Sequence, residues 1–494
     1  MNNMAWKEYL QERINAMPSL IKENTKAGTL VERPALYRVM RFAWSFINNE
    51  GDSRMVILYG LRGIGKSTIL YQAYDRLAKG SFEGSIKKPV PKENMLYLSL
   101  DQVMLQPEYS EGKSPLYEAV KNFCSEIHNT TIEDLNEKLF ILVDEAQFDK
   151  KWAVASKTIF DSSKNIFLVI TGSSALALNI DTDTGRRAIK EPLFPLNFME
   201  YQLMSNNIFP PRGTAESLKR LILQNDISMI PILNKTIAKI KEDIAAKRKS
   251  LSGSLEDYLT MGGFPYGLIT SKEIAYRRIL DMITRIVSQD VPTINNYEMD
   301  VIPQIMRVIG AVALKPSGEL PQTKLSENLN IPLAKLNSIL DTLQKTHLIF
   351  SVKPHPSPLD RRGVNKAFKF YFMSPTLLSA LLYLNGKTTI TNDIKSLLWE
   401  NAVGSTLHKL CFTTGTLYNL FYDARYETNV DFILENPLAD QNVPIEVGLN
   451  KDTAQIKNAI EMYKARYGVI VSDVQEISYT DRIITMPFWF FLYL

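Results

Sequence analysis

Short apolar runs alternate with amphipathic stretches along the N-terminal part of the chain. The apolar runs predict buried strands at 55–59, 94–98, 140–143 and 166–170. The amphipathic spacing predicts helices between them, with further helices over 1–30, 36–48 and 67–77. Strands that alternate with helices are typical of a parallel sheet covered by helices on both faces.

The strand signal disappears between 197 and 290, which predicts a helical subdomain. Three helical segments and two apolar strands follow; they lie at 302–314, 324–329, 333–346, 348–352 and 368–372. Three helices before a two-stranded wing indicate a winged helix. The tail reads helix, strands, helix, strands, which predicts a second α/β domain, and we expect its last apolar run, 483–494, to be a buried strand.

At 494 residues the chain exceeds the size of a single hydrophobic core. Its 45% hydrophobic and 22% charged residues are those of a folded protein and argue against disorder. We therefore predict a multidomain α/β protein. The predicted domains are 1–200 with the parallel sheet, 201–295, 296–385 and 386–494.

Composition also bears on the compartment. The N-terminal segment lacks the apolar core of a signal peptide, and no apolar run reaches the length of a membrane span. Cys124 and Cys411 lie far apart with no other metal-ligand types nearby, so we expect reduced, structural thiols. These features predict a cytoplasmic protein without a membrane partner. The net charge of +4 does not by itself indicate nucleic acid.

A glycine-rich segment after the first strand predicts a phosphate site. It fits G-x-x-x-x-G-K-[ST] and runs Gly60, Leu61, Arg62, Gly63, Ile64, Gly65, Lys66, Ser67, followed by Thr68. Backbone amides of such a loop, together with the following helix N-terminus, cradle phosphates. Lys66 would reach the β- and γ-phosphates, and the Ser67 hydroxyl would ligate Mg²⁺. We expect ATP or GTP with magnesium, although a glycine turn that merely caps a helix has the same residues.

The strand at 140–143 ends in two carboxylates, Asp144 and Glu145. Asp144 would hold Mg²⁺ and Glu145 would polarise the attacking water, so hydrolysis is expected as well as binding. Acidic residues also cap ordinary strand ends, but the position after a phosphate loop favours the catalytic interpretation.

The next strand ends at Ser173 and Ser174, where a hydroxyl could sense the γ-phosphate; a serine-rich turn is the alternative. Arg186 and Arg187 follow on a loop at the rim of the sheet. Arg186 could act as an arginine finger for a neighbouring subunit, which would require a homo-oligomer. A solvated basic loop or an internal ion pair is equally compatible with this sequence.

Together these residues resemble the prokaryotic AAA-like ATPases with a C-terminal restriction-endonuclease-like, PD-(D/E)XK, domain of unknown function. Besides the phosphate loop, the matching segments are 143–147 with Trp152, 170–174, 185–186, 195–196, 200–201, 262–265, 400–401, 430–432, 444–447 and 487–490. The resemblance implies an AAA+-type ATPase domain, a winged helix and a nuclease-like module. It also implies that Arg186 is the arginine of the family's Gly-Arg pair.

For the nuclease-like module, the resemblance implies metal ligands at Glu400, Asp431 and Glu446. The family's activating lysine is replaced by Gly448, so we expect no nuclease activity. The alternatives are a vestigial metal site and a structural domain that docks a protein partner.

Basic residues near the predicted wing suggest contact with DNA phosphates; these are Arg361, Arg362, Lys366 and Lys369. The predicted recognition helix offers few groups for base readout, so we expect weak, largely electrostatic DNA association. A spacer role for the winged helix is the alternative. The sequence thus predicts an ATP-driven switch associated with DNA, against an ATP-regulated nuclease or a nucleotide-sensing regulator that docks proteins without DNA.

Overall fold

The computed structural model describes residues 2–26, 30–82, 85–86, 88–105, 112–174, 182–295, 297, 301–314, 321–356, 367–415, 417–424, 428–449 and 453–494. Internal contacts divide the chain into two units, Met1–Leu193 and Phe194–Leu494. The predicted boundaries at 295/296 and 385/386 both fall inside the second unit.

The first unit alternates helices and strands as its sequence predicts. Its helices are α1 (Asn2–Asn24), α2 (Pro34–Ile47), α3 (Lys66–Lys79), α4 (Leu100–Val103), α5 (Pro115–His128), α6 (Trp152–Ser162) and α7 (Thr182–Arg187). Its strands are β1 (Met55–Gly60), β2 (Ser81–Phe82), β3 (Ser85–Ile86), β4 (Met95–Ser99), β5 (Leu139–Asp144), β6 (Ile166–Gly172) and β7 (Ala188–Leu193).

Five of these strands form a parallel sheet in the order β4-β5-β6-β1-β7. The four strands predicted from apolar runs occupy the first four places. Strand β7 was not predicted, because Lys190 and Glu191 interrupt its apolar character and it lies at the edge of the sheet. Strand β1 lies between β6 and β7, so the segment from β6 to β7 passes β1 before it adds the last strand.

Helices cover both faces of this sheet, as predicted. On one face, side chains such as Ile57 join a buried cluster that includes Leu10 of α1. On the other face, the Phe46 ring of α2 packs 5.4 Å from the ring of Phe140 and 5.6 Å from that of Phe167. Burial on both faces explains why the central strands read as continuous apolar runs.

The second unit begins with helices and ends with a large sheet. Its helices are α8 (Phe198–Asn206), α9 (Thr214–Gln224), α10 (Ile230–Ala246), α11 (Leu251–Asp257), α12 (Lys272–Arg285), α13 (Val291–Asn295), α14 (Ile302–Leu314), α15 (Gln322–Leu329), α16 (Leu333–Lys345), α17 (Pro375–Leu384), α18 (Asn392–Thr413), α19 (Thr453–Met462) and α20 (Phe488–Phe491). Its strands are β8 (Ile349–Pro354), β9 (Lys369–Phe372), β10 (Asn419–Tyr422), β11 (Phe432–Asn436), β12 (Gln441–Val447), β13 (Gly468–Ser472), β14 (Ser478–Thr480) and β15 (Ile483–Pro487).

Residues 198–295 contain no strand, which confirms the predicted helical region. Within it, the Gly262-Gly263 pair is a packing device. A Cβ at Gly262 would lie 2.5 Å from the Tyr201 ring, so only glycine lets this ring approach. The Gly263 N–H donates to the Thr376 hydroxyl at 2.9 Å, which ties the helical region to α17. Two of the motifs that carry the family resemblance therefore pack against each other.

One eight-stranded sheet unites the predicted wing with the C-terminal tail, in the order β14-β15-β13-β12-β11-β10-β8-β9. The helices and strands predicted for a winged helix are present, and β8 pairs with β9 in antiparallel fashion. Strand β8 also pairs with β10, with Phe421 opposite Lys353. The two wing strands are thus part of a larger sheet, and the winged-helix assignment stays a prediction.

The expectation of a strand over 483–494 is wrong in its second half. Strand β15 ends at Pro487, and the helix α20 begins at Phe488. A continuous apolar run fits a buried helix as well as a buried strand, so its pattern could not distinguish them. The burial itself is confirmed, since the Phe488 ring stacks on that of Trp399 with centroids 3.9 Å apart.

Both cysteines, Cys124 and Cys411, are free, and burial raises the pKa of the Cys124 thiol to about 12. Among the helices that the structure describes, none combines the length and apolar character that a membrane span needs.

We predict that Gly262→Ala destabilises the second unit by about 1–3 kcal/mol, because the added methyl group would collide with the Tyr201 ring. Gly310→Ala is the matched control. Gly310 lies in α14 with nothing within 4 Å of an added Cβ, so alanine there should stabilise by up to about 1 kcal/mol. Urea unfolding followed by circular dichroism measures both, and equal effects would contradict the packing role of Gly262.

Candidate functional site

The carboxyl ends of three neighbouring strands form the candidate site. Strands β5, β6 and β1 are adjacent and parallel, so the segments that follow them leave the sheet at one edge. These segments are the acidic pair, the serine pair and the glycine-rich loop. The sequence predicted each strand end; the strand order is what brings the three together.

The glycine-rich loop is held by cationic side chains. Lys66 is 6% exposed, and its ammonium donates to the carbonyls of Gly60 at 3.0 Å and Leu61 at 2.8 Å. Gly65 adopts a left-handed conformation, with φ of 94°, directly before α3. The predicted residues Ser67 and Thr68 are half-buried in the first turn of that helix. The loop therefore leads into the N-terminus of a helix, as a phosphate site requires.

A segment before α2 supports the same loop. The buried Arg33 guanidinium donates to the Ile64 carbonyl at 2.8 Å. Its neighbour Glu32 accepts two bonds from Arg76 of α3, at 2.8 and 2.5 Å. Sequence patterns gave no indication of Arg33, because its partner lies 31 residues away in a different segment.

The Asp144 carboxylate is fixed by the strands on both sides of β5. Asp144 is 4% exposed, and its Oδ2 accepts from the Tyr97 hydroxyl of β4 at 3.1 Å. Its Oδ1 accepts from the Thr171 hydroxyl of β6 and from the Glu145 N–H. Burial, with the Asp144 charge second, raises the pKa of Tyr97, which keeps this hydroxyl a donor. Tyr97 and Thr171 were not predicted from the sequence.

Glu145 adopts a conformation that is unfavourable for a residue with a side chain. Its φ of 54° and ψ of 44° place it in the left-handed region, which costs about 1 kcal/mol. Residues in such unfavourable conformations are concentrated at functional sites. Burial raises the pKa of the Glu145 carboxyl, while the positive charges of Lys66 and Arg62 oppose that rise. The loop cations and the acidic pair are thus close enough to interact.

The serine pair after β6 has unused hydroxyls. Ser173 and Ser174 are each 3% exposed, and neither hydroxyl has a hydrogen-bond partner among the described residues. An unpaired buried hydroxyl costs about 1–3 kcal/mol, so each of these hydroxyls can still accept a hydrogen-bond partner from outside the described residues. The sensor interpretation of Ser173 stays a prediction beside that of a serine-rich turn.

The two arginines at the rim differ in environment. Arg187 is paired with Asp161, with a 2.7 Å distance between Nε and Oδ1. Arg186 lies in the last turn of α7 and is exposed to solvent. The expected loop is therefore wrong at these positions, since both arginines are helical. The internal ion pair describes Arg187, and Arg186 stays a candidate for contact with another molecule.

In the second unit, hydrogen bonds join two of the three predicted acids, and the charges of Glu400 and Asp431 both act on Tyr371. The Asp431 N–H donates to Glu446 Oε2 at 3.2 Å, and the Val447 N–H donates to Asp431 Oδ2 at 2.8 Å. Glu400 of α18 accepts from the Tyr371 hydroxyl at 2.7 Å. Within the described residues, no group of three or more His, Cys, Asp or Glu side chains is arranged to hold a metal ion.

Lys369 differs from its expected place on an exposed basic wing. It is 8% exposed, and its ammonium lies 3.7 Å from Glu400 Oε1. The physical reason is its position in β9, where the flanking residues are aromatic and the strand is buried throughout. The other predicted DNA contacts, Arg361, Arg362 and Lys366, lie outside the described residues.

Asn401, next to Glu400, completes the edge of the large sheet. Its side-chain oxygen accepts from the Phe372 N–H, and its side-chain nitrogen donates to the Phe372 carbonyl, each at 2.9 Å. The amide thus substitutes for a neighbouring strand beside β9. This gives the Glu400-Asn401 motif a structural role.

Comparisons with known proteins agree with the geometry of the first unit. Residues 52–202 match the model of an AAA domain, and residues 252–388 match that of a domain of unknown function, DUF8612. The uncharacterized protein MJ1637 of Methanocaldococcus jannaschii is 30% identical over 452 residues, which cover 91% of this chain and 86% of that protein. The chain belongs to the MJ1637 family.

The solved structures are less similar to this chain than MJ1637 is. The Aeropyrum pernix ORC1 protein in complex with DNA has a TM-score of 0.30 and 15% identity, over 71% of this chain and 91% of its own. The Thermotoga maritima RuvB Holliday junction branch migration motor has a TM-score of 0.27 and 12% identity, over 66% and 90%. TM-scores this low carry no argument about function. The assignment of an AAA domain rests on the family model and on the strand order.

We predict that Asn401→Leu destabilises the second unit by about 2–5 kcal/mol, because both Phe372 backbone groups would be left buried without partners. Asn419→Leu, on the exposed side of β10, is the control and should change stability by less than about 0.5 kcal/mol. Chemical denaturation compares the two, and similar values would contradict the strand-like role of Asn401.

Proposed function

We propose that the chain is a magnesium-dependent ATPase that works as an AAA+-type molecular switch. The observation that carries the proposal is the meeting of Lys66, Asp144 and Glu145 at one edge of a parallel sheet. A glycine-rich loop that ends in a buried cation, together with two carboxylates at the end of β5, complements the charges of a nucleoside triphosphate and its metal.

The glycine-rich loop, residues 60–65, would bind the phosphates through its backbone amides, aided by the positive end of the α3 dipole. Lys66 would exchange its bonds to the Gly60 and Leu61 carbonyls for bonds to the β- and γ-phosphates. Arg33 would keep the loop in shape during this exchange, since its own bond to Ile64 does not involve Lys66.

The residues at this edge fit magnesium, which prefers oxygen ligands and retains several waters. Ser67 would ligate directly and Asp144 through water. Asp144 Oδ2 accepts from one described donor, Tyr97, so it has a lone pair for a metal-bound water. Magnesium at these oxygens would neutralise the charge that develops on the transferred phosphoryl group.

Glu145 would orient the attacking water and accept its proton at the carboxylate. Burial raises the pKa of this carboxyl, which strengthens it as a base. The buried Ser173 hydroxyl would contact the γ-phosphate. Arg186, exposed at the rim, would complete the site of a neighbouring subunit, so we propose a homo-oligomer.

The second unit would transmit the nucleotide state to a partner. We propose weak, largely electrostatic binding of DNA by the basic segment that contains Arg361 and Arg362. Lys369 is not among the proposed DNA contacts, because it is buried. The C-terminal part would be a degenerate nuclease-like domain that docks a protein. The bonds from the Asp431 N–H to Glu446 and from the Val447 N–H to Asp431 support the fold, and Gly448 in place of a lysine argues against cleavage.

We predict that Lys66→Ala lowers ATP affinity by about 100-fold, because charge-assisted bonds to two phosphates are lost. Glu145→Gln should instead retain binding and reduce turnover by about 10²- to 10⁴-fold. Fluorescent-nucleotide titration and phosphate release measure the two effects. Unchanged hydrolysis in Glu145→Gln would remove the assigned base.

We predict that Arg186→Ala reduces turnover by about 10³-fold while ATP binding is retained. Arg187→Ala should have little effect on turnover, since this arginine is already paired with Asp161. Mixing Arg186→Ala with Lys66→Ala should restore part of the activity if the arginine acts between subunits. Equal rates for the two arginine variants would contradict the finger.

We predict that duplex DNA binds with a steep dependence on salt, and that replacing Arg361 and Arg362 with alanine reduces the slope of log affinity against log salt by about 2. Fluorescence anisotropy between low and physiological salt measures this slope, and binding that is insensitive to salt would contradict the electrostatic account.

The same duplex, run on a denaturing gel after incubation with Mg²⁺ or Mn²⁺, should stay intact. Cleavage that Asp431→Ala abolishes would instead establish the nuclease.

A further inference from the structure

Gln147 connects the acidic pair to the serine pair. It lies in the helical turn Ala146–Phe148 directly after β5. Its side-chain nitrogen donates to Glu145 Oε2, and its side-chain oxygen accepts from the Ser173 N–H at 3.2 Å. A carboxylate can only accept and a backbone N–H can only donate, so these two partners fix which end of the amide faces which.

Gln147 is the hydrogen-bond donor to the Glu145 carboxylate. Among the described residues, it is the only side chain that hydrogen-bonds to the Glu145 carboxylate. The charged groups that face Glu145, namely Lys66, Arg62 and Asp144, act on it through their charges. A single neutral amide therefore sets the orientation of the proposed base.

Ser173 bonds to Gln147 through its backbone N–H, and its buried hydroxyl has no hydrogen-bond partner in the part of the chain that the structure describes. A ligand that engages this hydroxyl would move or fix the same residue whose N–H holds Gln147.

We infer that Gln147 is a positioning residue that couples the serine pair to Glu145, so that contact of the γ-phosphate with Ser173 sets the base in place for attack by water. This inference rests on the proposed ATPase function. Gln147 touches neither nucleotide nor water in this scheme; it acts through Glu145.

Gln147→Met tests the inference, because methionine keeps the length of the side chain and loses both hydrogen bonds. Displacing a base by about 1 Å costs about 100-fold in rate, so kcat should fall about 10- to 100-fold. ATP affinity should stay within about threefold, since no phosphate contact is lost. Gln102→Met, the same change at an exposed position of this unit, is the control and should retain wild-type kcat.

Gln147→Glu distinguishes the hydrogen bond that the amide nitrogen donates from the one that the amide oxygen accepts. A carboxylate can still accept from the Ser173 N–H, but it repels Glu145 and donates nothing to it. We expect this variant to be at least as slow as Gln147→Met. Wild-type turnover in Gln147→Glu would overturn the coupling.

A double-mutant cycle with Glu145→Gln distinguishes positioning from general stabilisation. Single-turnover hydrolysis of labelled ATP should be no slower in the double variant than in Glu145→Gln alone, because Gln147 acts only through the residue already disabled. Additive losses would overturn the inference while the ATPase function stands. A wild-type chain without hydrolysis would overturn the proposed function and this inference with it.

Discussion

A buried carboxylate at the end of a central strand determines much of the first unit. Asp144 can be buried there only if hydrogen-bond donors replace water, since an unpaired carboxylate in the interior is strongly unfavourable. The donors come from the neighbouring strands on both sides, Tyr97 of β4 and Thr171 of β6. The register of β4, β5 and β6 must therefore bring the Tyr97 and Thr171 hydroxyls within hydrogen-bond distance of the Asp144 carboxylate.

The strand order places the other groups of the site. Strand β1 lies next to β6 and runs parallel to β6 and β5, so its glycine-rich loop leaves the sheet at the end where Asp144 and Glu145 lie. Three parts of the site are supported by residues that carry no chemistry themselves: Arg33 supports the loop, Tyr97 supports Asp144, and Gln147 supports Glu145.

Much of this could be predicted from the chain, because strands buried on both faces and a glycine-rich loop leave strong local patterns. Strands β1, β4, β5 and β6, the helical region and the order of elements in the tail as far as β15 were predicted correctly. The edge strand β7 was missed because Lys190 and Glu191 interrupt its apolar character, and Lys369 was misplaced because charge was counted without regard to its aromatic neighbours. Tyr97 and Arg33 have no local signal, since their roles arise from contacts between segments that only the fold brings together. Gln147 lies in a segment that carries the family resemblance, but its contacts with Glu145 and Ser173 could not be predicted from the sequence.

The most direct measurement is a structure of the chain with a slowly hydrolysed ATP analogue and Mg²⁺. The account predicts that the phosphates lie against residues 60–67, that Lys66 has left the Gly60 and Leu61 carbonyls, and that the metal lies between Ser67 and Asp144. An analogue bound elsewhere, or a chain that binds none at millimolar magnesium, would contradict it.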